Sequence, residues 1–298
     1  MRIALFLLSA LAVVTAAPTS APSSTQAGRA VPVDESLLSQ AVSLTQQTYC
    51  FVQPIGQKVG DAELLYEYGD GNIKQRAAIF HSKSLGIAVS FEGTEILSIL
   101  SILHDVDFWP VDPTNALKDA VPSGTKLFKG FHSAYQDVAK PVFKNLERIL
   151  SERNETRVTV IGYSLGAAMA TMAAMEYQHR LEHGVHQVFA FGLPRTGNPI
   201  FANAVDEKLG GKFFYAVNGK DWVPHMPPRE WNYQHPSGQI WINPSASGNY
   251  TYYPGQENVH GANSIEPVWT LQDHINYYFH TGLGPGVGQC PAKVNDQK

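Results

Sequence analysis

The sequence predicts an α/β fold, with a central, mostly parallel sheet and helices on both of its faces. Short apolar runs alternate with longer segments of helical periodicity, which is the pattern of a sheet covered by helices. The run 157–161 is rich in β-branched residues, as is typical of a strand buried on both faces. No linker or internal repeat interrupts the chain after residue 34, so we expect a single domain over residues 34–298.

The predicted elements follow in chain order. Asp34 lies where it can cap a first helix that runs towards Cys50. Residues 77–80 and 86–91 form short apolar runs flanked by turn-forming or polar residues, which is typical of strands. Apolar residues then recur at helical spacing over residues 131–150. Further expected elements are strands at 157–161, 187–191 and 212–217, a helix at 165–182, a hairpin arm at 239–243 and a last helix at 271–280 that Gly282 stops.

The N-terminus has the pattern of a secretory signal peptide. Arg2 supplies the positive charge, residues 3–14 are apolar, and small residues precede a cleavage site before Ala17. The apolar stretch is too short to span a bilayer, so we expect a secreted, extracellular protein without a transmembrane segment. Residues 17–33 are rich in Ser, Thr, Pro and Ala, which predicts a disordered lead-in or pro-segment.

Secretion gives meaning to two further features. Cys50 and Cys290 are the only cysteines, and an isolated pair in an oxidising compartment usually forms a disulfide. This bridge would close a loop of about 240 residues near both ends of the domain. Asn154 and Asn249 each start an Asn-x-Thr sequence and are therefore candidate glycosylation sites.

Composition argues against several classes of function. The net charge is -4 and no long basic run is present, so we expect no nucleic-acid partner. His179, His183 and His186 share a helical face, but no acidic residue joins them in a metal-binding pattern, and a solvated helix end is expected. The sequence has no phosphate loop or dinucleotide fingerprint, so we expect neither a cofactor nor a metal.

Residues 158–168 form a predicted strand, a Gly-x-Ser-x-Gly turn and a helix, the context in which a serine serves as a nucleophile. Gly162 and Gly166 have no Cβ, so the strand and the helix can approach closely. Ser164 is then exposed at the helix N-terminus, where the helix dipole and free N–H groups favour negative charge. There the N–H of Leu165 can donate to the oxyanion of a tetrahedral intermediate.

A nucleophilic serine needs a base that is oriented by a third group. In the strand–turn–helix context the expected chain order is serine, then an acid, then a histidine. Asp221 follows the strand at 212–217 through a turn, which places its carboxylate at the sheet edge where Ser164 is expected. Among the later histidines, the pattern alone leaves both His260 and His274 open.

Six segments, in the same order, make the chain similar to the secreted fungal lipases of the class 3 group. The resemblance covers about residue 34 to Cys290 and is highly specific, because six ordered chance matches are implausible. The chain departs from the family pattern at Tyr163 and Ala167, where His and Gly are common, and at Glu92, where Arg is common. The matching segments are 90–94, 130–132, 162–168, 191–199, 221–228 and 273–279.

The resemblance implies an α/β-hydrolase fold with a short helical lid, and it implies roles for individual residues. Ser164 would be the nucleophile, His274 the general base and then acid, and Asp221 the group that orients the imidazole. Thr94 would give its backbone N–H and its hydroxyl to an oxyanion hole, beside the N–H of Leu165. The pairing of the two cysteines also fits the terminal disulfide of the family.

Residues 95–103, directly after Thr94, hold six large aliphatic side chains. As a helix they would form a broad apolar face opposite Glu95, Ser98 and Ser101, and the residues alone fit a buried helix equally well. The resemblance implies a lid that turns this face to a lipid surface when it opens. The six residues are Ile96, Leu97, Ile99, Leu100, Ile102 and Leu103.

The sequence therefore predicts a monomeric serine carboxylic ester hydrolase of the triacylglycerol lipase type, which acts on long-chain acyl esters at a lipid–water interface. One alternative is an esterase of the same family that acts on feruloyl, sterol or carotenoid esters. A more distant alternative is a non-catalytic binding protein on the same scaffold.

Overall fold

A computed structural model describes residues 24–51, 53–71, 74–94, 109–265, 269–284 and 286–294. The helices are α1 Glu35–Gln47, α2 Asn115–Ala120, α3 Lys129–Arg153, α4 Leu165–Arg180 and α5 Pro199–Leu209. The strands are β1 Lys58–Val59, β2 Ala62–Tyr68, β3 Ala77–Ser82, β4 Gly86–Phe91, β5 Pro110–Val111, β6 Leu127–Phe128, β7 Val158–Tyr163, β8 Gln187–Phe191, β9 Phe213–Asn218, β10 Gln239–Ile242, β11 Tyr250–Tyr253, β12 Tyr277–Tyr278 and β13 Thr281–Gly282.

Nine strands form the central sheet in the order β1-β2-β3-β4-β7-β8-β9-β10-β11. Strands β4, β7, β8, β9 and β10 run parallel, and β1 to β3 and β11 add antiparallel strands at the two sides. The ends of the parallel strands therefore meet at one edge of the sheet, where ligands bind in open α/β sheets.

Alternating side chains of the sheet face two separate apolar layers. Val158 and Val160 of β7 pack into the layer that holds helices α2 to α5. Ile161 and Tyr163 of the same strand pack into the layer that holds α1. Because each layer covers one face, the central strands are buried on both sides, which confirms the predicted α/β architecture.

Helix α5 was not predicted, although its start carries a clear signal. The Asn198 side chain accepts a hydrogen bond from the N–H of Phe201, and Pro199 occupies the first helical position. Both are preferred at helix N-termini because they satisfy or remove backbone donors that the helix leaves unpaired. At α1, Asp34 occupies the expected cap position, but its side chain makes no capping hydrogen bond.

The predicted last helix at 271–280 does not form, and this prediction is wrong. Strand β12 pairs instead with β13, with Tyr277 opposite Gly282. Phe279 and His280 between the two strands have positive φ angles of 46° and 63°, which a right-handed helix does not allow. The aromatic residues here favour a short hairpin over a helix.

Residues 24–33, part of the segment 17–33 that we expected to be a disordered lead-in or pro-segment, lie along the edge strand β11. Arg29 and Tyr252 exchange two backbone hydrogen bonds of 2.9 Å, and Val259 N–H donates to the carbonyl of Ser24. Val31 and Val33 pack on the apolar layer that holds α1. The backbone groups of β11 provide hydrogen-bond partners for this segment, and its composition alone could not predict them.

The disulfide between Cys50 and Cys290 is confirmed, with the two Cα atoms 5.4 Å apart. The predicted signal peptide at 1–16 and all six predicted lid residues fall outside the described part of the chain. In the described ranges, no helix is long and apolar enough to cross a membrane.

Candidate active site

Ser164 lies at the tip of a tight turn between strand β7 and helix α4. Its φ of 59° and ψ of -124° place a non-glycine residue in a strained region of the backbone map. A Cβ on Gly162 would stand 2.2 Å from the carbonyl oxygen of Gly166, and one on Gly166 would stand 2.2 Å from that of Phe91. Only glycine fits at both positions, so the two glycines of the motif permit the turn that presents Ser164.

Ser164, His274 and Asp221 form a continuous chain of hydrogen bonds. Nε2 of His274 lies 2.8 Å from the Ser164 Oγ, and Nδ1 lies 2.7 Å from Oδ2 of Asp221. With a neutral imidazole, the serine hydroxyl donates to Nε2 and the Nδ1–H donates to the carboxylate. The structure thus brings together the three residues predicted for the triad, whereas His260 is exposed beyond β11.

The Asp221 carboxylate is fully buried and held by further donors. Oδ1 accepts the backbone N–H of Val223 at 2.9 Å, and the Tyr278 hydroxyl lies 3.3 Å from Oδ2. Gly192 passes so close that a Cβ there would stand 2.7 Å from Cε1 of His274. The tight turn at Gly192 therefore fits this position only because the residue has no side chain.

Tyr163 packs against the imidazole of His274. The two rings stack with their centroids 4.7 Å apart and an interplanar angle of 25°. The Tyr163 hydroxyl donates to the backbone carbonyl of His274 at 2.9 Å, so the tyrosine contacts both the ring and the backbone of this residue. Burial raises the pKa of Tyr163 well above its ordinary range, and the phenol stays neutral.

Thr94 and Leu165, the two residues that the sequence predicts for an oxyanion hole, lie next to Gly93 and Ser164 in the chain. A Cβ on Gly93 would stand 3.0 Å from the Ser164 Cβ, so the backbone next to Thr94 lies directly against the serine. The Thr94 hydroxyl is buried and makes no hydrogen bond in the described part of the chain. Leu165 is the first residue of α4, where an N–H has no acceptor within the helix.

Glu92, beside this loop, faces Arg76 across 3.9 Å, so the charge that departs from the family pattern has an opposite charge as its neighbour. Burial raises the pKa of Glu92 from its ordinary 4.5 to about 7, while the Arg76 guanidinium lowers it in part. The Tyr49 hydroxyl is buried near Gly93. Burial raises the pKa of Tyr49, and the nearby charge of Glu92 raises it further.

The loop that follows Asp221 is fixed by a buried ion pair that the sequence analysis did not find. Arg195 binds Glu257 through two hydrogen bonds, of 2.7 Å and 3.0 Å, and also donates to the carbonyl of Pro227 at 3.0 Å. Although burial favours a neutral carboxyl, the Arg195 guanidinium holds the pKa of Glu257 well below its usual range. The two residues are 62 positions apart, which left no local signal for the pair.

An apolar cleft of about 360 Å³ opens on the surface between Trp109, Pro110, Trp231 and Tyr233. Trp109 lies six positions after Leu103, the last of the predicted lid residues, and the next two residues form β5, which pairs with β6. Trp231 follows the loop that carries Asp221 and is about half exposed. Because the cleft is almost entirely apolar, it suits an aliphatic chain better than a polar group.

Two further expectations concern metal ligands and glycan acceptors. Within the described residues, no three histidine, cysteine, aspartate or glutamate side chains group as metal ligands would. Asn154 and Asn249 are both exposed. The arrangement around Ser164 has a nucleophile, a base, an orienting acid and nearby donors for an anion, which are the parts that nucleophilic catalysis needs.

Comparisons with known proteins agree with this chemistry. Residues 88–231 match the family described as lipase (class 3). A secreted mono- and diacylglycerol lipase of Malassezia restricta is 51% identical over 298 residues, which cover 99% of each chain. A secreted mono- and diacylglycerol lipase of Malassezia globosa is 49% identical over 266 residues, which cover 89% of this chain and 88% of that one.

Solved structures show the same fold. The Rhizomucor miehei triacylglyceride lipase superposes with a TM-score of 0.69 at 26% identity, over 81% of this chain and 92% of that one. A triacylglycerol lipase whose catalytic centre is described as a serine protease triad superposes with a TM-score of 0.70 at 27% identity, over 82% of this chain and 94% of that one.

Proposed function

Because the chain belongs to the class 3 lipase family and is a serine ester hydrolase, we propose that Ser164, His274 and Asp221 carry out its reaction on acylglycerols. The observation that carries this proposal is the pair of short contacts from His274, one to the serine and one to the aspartate. The same two contacts favour a catalytic protein over the alternative of a non-catalytic binding protein.

The proposed reaction has two halves. The Ser164 Oγ attacks the ester carbonyl while Nε2 of His274 takes its proton, and the imidazolium then gives that proton to the departing alcohol. A water molecule, activated by the same nitrogen, hydrolyses the acyl-enzyme and releases the fatty acid. Asp221 holds the imidazole in the tautomer that leaves Nε2 free to accept a proton.

The negative oxygen of each tetrahedral intermediate needs donors that are already in place. We assign these to the N–H groups of Thr94 and Leu165, with the Thr94 hydroxyl as a third donor. Support comes from the buried Thr94 hydroxyl, which has no hydrogen-bond partner among the described residues, and from the position of Leu165 at the start of α4. The helix dipole of α4 adds to the stabilisation of negative charge.

For the substrate, we propose mono- and diacylglycerols with long acyl chains. Relatives that are 45% to 51% identical carry the name mono- and diacylglycerol lipase. The apolar cleft between Trp109 and Trp231 is consistent with a long acyl chain. Residues 96–103 are proposed as a lid that opens at the lipid surface, and Asn154 and Asn249 as glycan acceptors.

We propose that the protein acts outside the cell, as a domain that follows a signal peptide at residues 1–16. The relatives are named as secreted, and the disulfide between Cys50 and Cys290 suits an oxidising compartment. The segment 24–33 is proposed to remain part of the folded protein, because it makes backbone hydrogen bonds to β11.

The test is hydrolysis of mono-, di- and triolein, followed by titration of the released fatty acid, beside methyl ferulate as the alternative ester. We expect turnover of mono- and diolein that Ser164→Ala abolishes, and labelling of the wild-type protein alone by a fluorophosphonate. Triolein as the best substrate would overturn the proposed preference but not the hydrolase. Activity confined to methyl ferulate would place the enzyme with the feruloyl esterases.

A further inference from the structure

We propose that Phe51 and Ile55 form an apolar anchor that binds the surface of a lipid aggregate, with Phe51 at the sheet edge that carries the nucleophile. This inference rests on the proposed function, because it assumes that the substrate is presented at a lipid surface. The anchor is separate in the sequence from the predicted lid at residues 96–103.

The two side chains are unusually exposed for their size. Phe51 is 71% exposed and Ile55 is 62% exposed, and the two lie within five residues of each other. Single exposed apolar residues are common on soluble proteins, whereas exposed apolar surface that is grouped marks interaction sites. Transfer of both into an apolar phase would remove most of their surface from water.

Phe51 projects from a firmly held base. Cys50 is tied to Cys290 by the disulfide, and Arg76 donates to the carbonyls of Thr48 and Cys50 at 3.2 Å and 3.1 Å. The Arg76 guanidinium also lies 5.2 Å from the centre of the Phe51 ring. Because the base is already ordered, little conformational entropy is lost when the side chain enters a lipid surface.

The base of this anchor lies at the same edge of the sheet as the nucleophile. Strand β3 begins where β4 ends, with Ala77 opposite Phe91, and Phe91 in turn lies opposite Gly162. Arg76 directly precedes β3, Glu92 directly follows β4, and Ser164 follows β7. The contacts from Phe51 to Arg76 and from Arg76 to Glu92 therefore connect the anchor with the loop next to Ser164.

The charge pattern favours a lipid surface over a protein as the partner. The sequence carries no charged residue from 36 to 57, so the exposed loop offers no ion pair to a protein partner. The first charged residue after the loop, Lys58, is already paired with Glu63 at 2.7 Å. A loop that carries no charge of its own can place two apolar side chains in the boundary of a neutral aggregate.

The test measures partition onto lipid in the Ser164→Ala background, so that the aggregate stays intact. The probes are large vesicles of phosphatidylcholine with diolein, and bound protein is separated by sedimentation. We expect Phe51→Ser and Ile55→Ser each to weaken partition about tenfold, because each removes one buried apolar side chain. The matched control is Val259→Ser, because Val259 is also a partly exposed apolar residue, at 41%. Val259 follows β11, and this strand ends at the opposite edge of the sheet.

A second variant reports contact directly and does not depend on a loss of binding. Phe51→Trp should show added quenching by brominated phosphatidylcholine relative to the parent, whereas Val259→Trp should not. Thermal unfolding midpoints establish that each variant is folded. Unchanged partition of both serine variants, or equal quenching at positions 51 and 259, would overturn the anchor. Failure of the proposed function would appear elsewhere, as absence of oleoylglycerol hydrolysis by the wild-type protein.

Discussion

The phenol ring of Tyr163 stacks on the imidazole of His274, and its hydroxyl binds the backbone carbonyl of the same residue at 2.9 Å. A single side chain thus fixes both the plane and the backbone of the proposed base. Tyr163 does not reach the reacting atoms, so we regard it as a positioning residue.

The contribution of Tyr163 can be divided between the stack and the hydrogen bond. Tyr163→Phe keeps the ring and should lower kcat by at most about fivefold, because one hydrogen bond is worth about 1 kcal/mol. Tyr163→Leu loses both contacts and should lower kcat by about 10- to 100-fold with little change in KM, since imidazole orientation affects the chemical step. Steady-state kinetics on a soluble short-chain ester measure the split. Equal kinetics for the two variants would refute a positioning role for the ring.

Asp221→Asn tests how the imidazole is held. The amide can donate to Nδ1 and so favours the tautomer with the proton on Nε2, which cannot accept the serine proton. We expect kcat to fall by about 10³- to 10⁴-fold, as in other serine triads. Asp206→Asn is a suitable control, because Asp206 binds Ser237 and Gln256 on another part of the surface. Retention of more than a tenth of the wild-type rate would exclude Asp221 as the orienting acid.

Glu92 should make stability depend on pH near neutrality. Its pKa is about 7 in the folded protein and near 4.5 when unfolded, so between these values the folded state holds a proton that the unfolded state has lost. Stability therefore falls as pH rises from about 4.5 to 7, by up to about 3 kcal/mol.

Glu92→Gln removes this titration and keeps the shape of the side chain. The difference in unfolding midpoint between pH 5 and pH 8 should be smaller in this variant than in the wild type. Thermal unfolding followed by circular dichroism at the two values gives the comparison. An identical pH dependence in both proteins would show that another group is responsible.

Breaking the Arg195–Glu257 pair should destabilise the loop that carries Asp221. Glu257→Gln leaves the buried guanidinium without its counter-charge, at a cost of about 3–5 kcal/mol. The unfolding midpoint should then fall by roughly 10 °C. The double variant Arg195→Met, Glu257→Leu should recover part of the loss, because it buries no unpaired charge. A single variant as stable as the wild type would contradict this account.

The disulfide should contribute to stability through the long loop it closes. Cys50→Ser with Cys290→Ser should cost about 2–5 kcal/mol, since the unfolded chain regains the freedom that the bridge removes. Unfolding of the wild type with and without a reductant provides the matched comparison. If the reductant lowers the midpoint of the wild type but not of the variant, the loss belongs to the bridge.

Local patterns predicted the nucleophile, and long-range packing decided the rest. The turn at Ser164 could be predicted because strand, glycines and helix lie within eleven residues. His274 and Asp221 are 110 and 57 positions away from it, and the residues alone left His260 open until the family resemblance was considered. No local rule could have paired Arg195 with Glu257.

Two elements show where local rules fail. The segment at 271–280 has helical spacing, but positive φ angles at Phe279 and His280 turn it into a hairpin. Residues 24–33 have the composition of a disordered segment, yet the open backbone groups of β11 give them hydrogen-bond partners. In both cases the deciding contact comes from outside the window that a sequence pattern describes.

The segment along β11 has a consequence for handling the protein. An uncovered edge strand can pair with the edge strand of a second molecule, and such pairing leads to aggregation in concentrated solutions. Secreted enzyme that retains residues 24–33 keeps this edge covered by Arg29 and its neighbours. Protein that a contaminating protease has shortened to begin at Asp34 should therefore aggregate on storage, and its turbidity should rise before its hydrolytic activity falls.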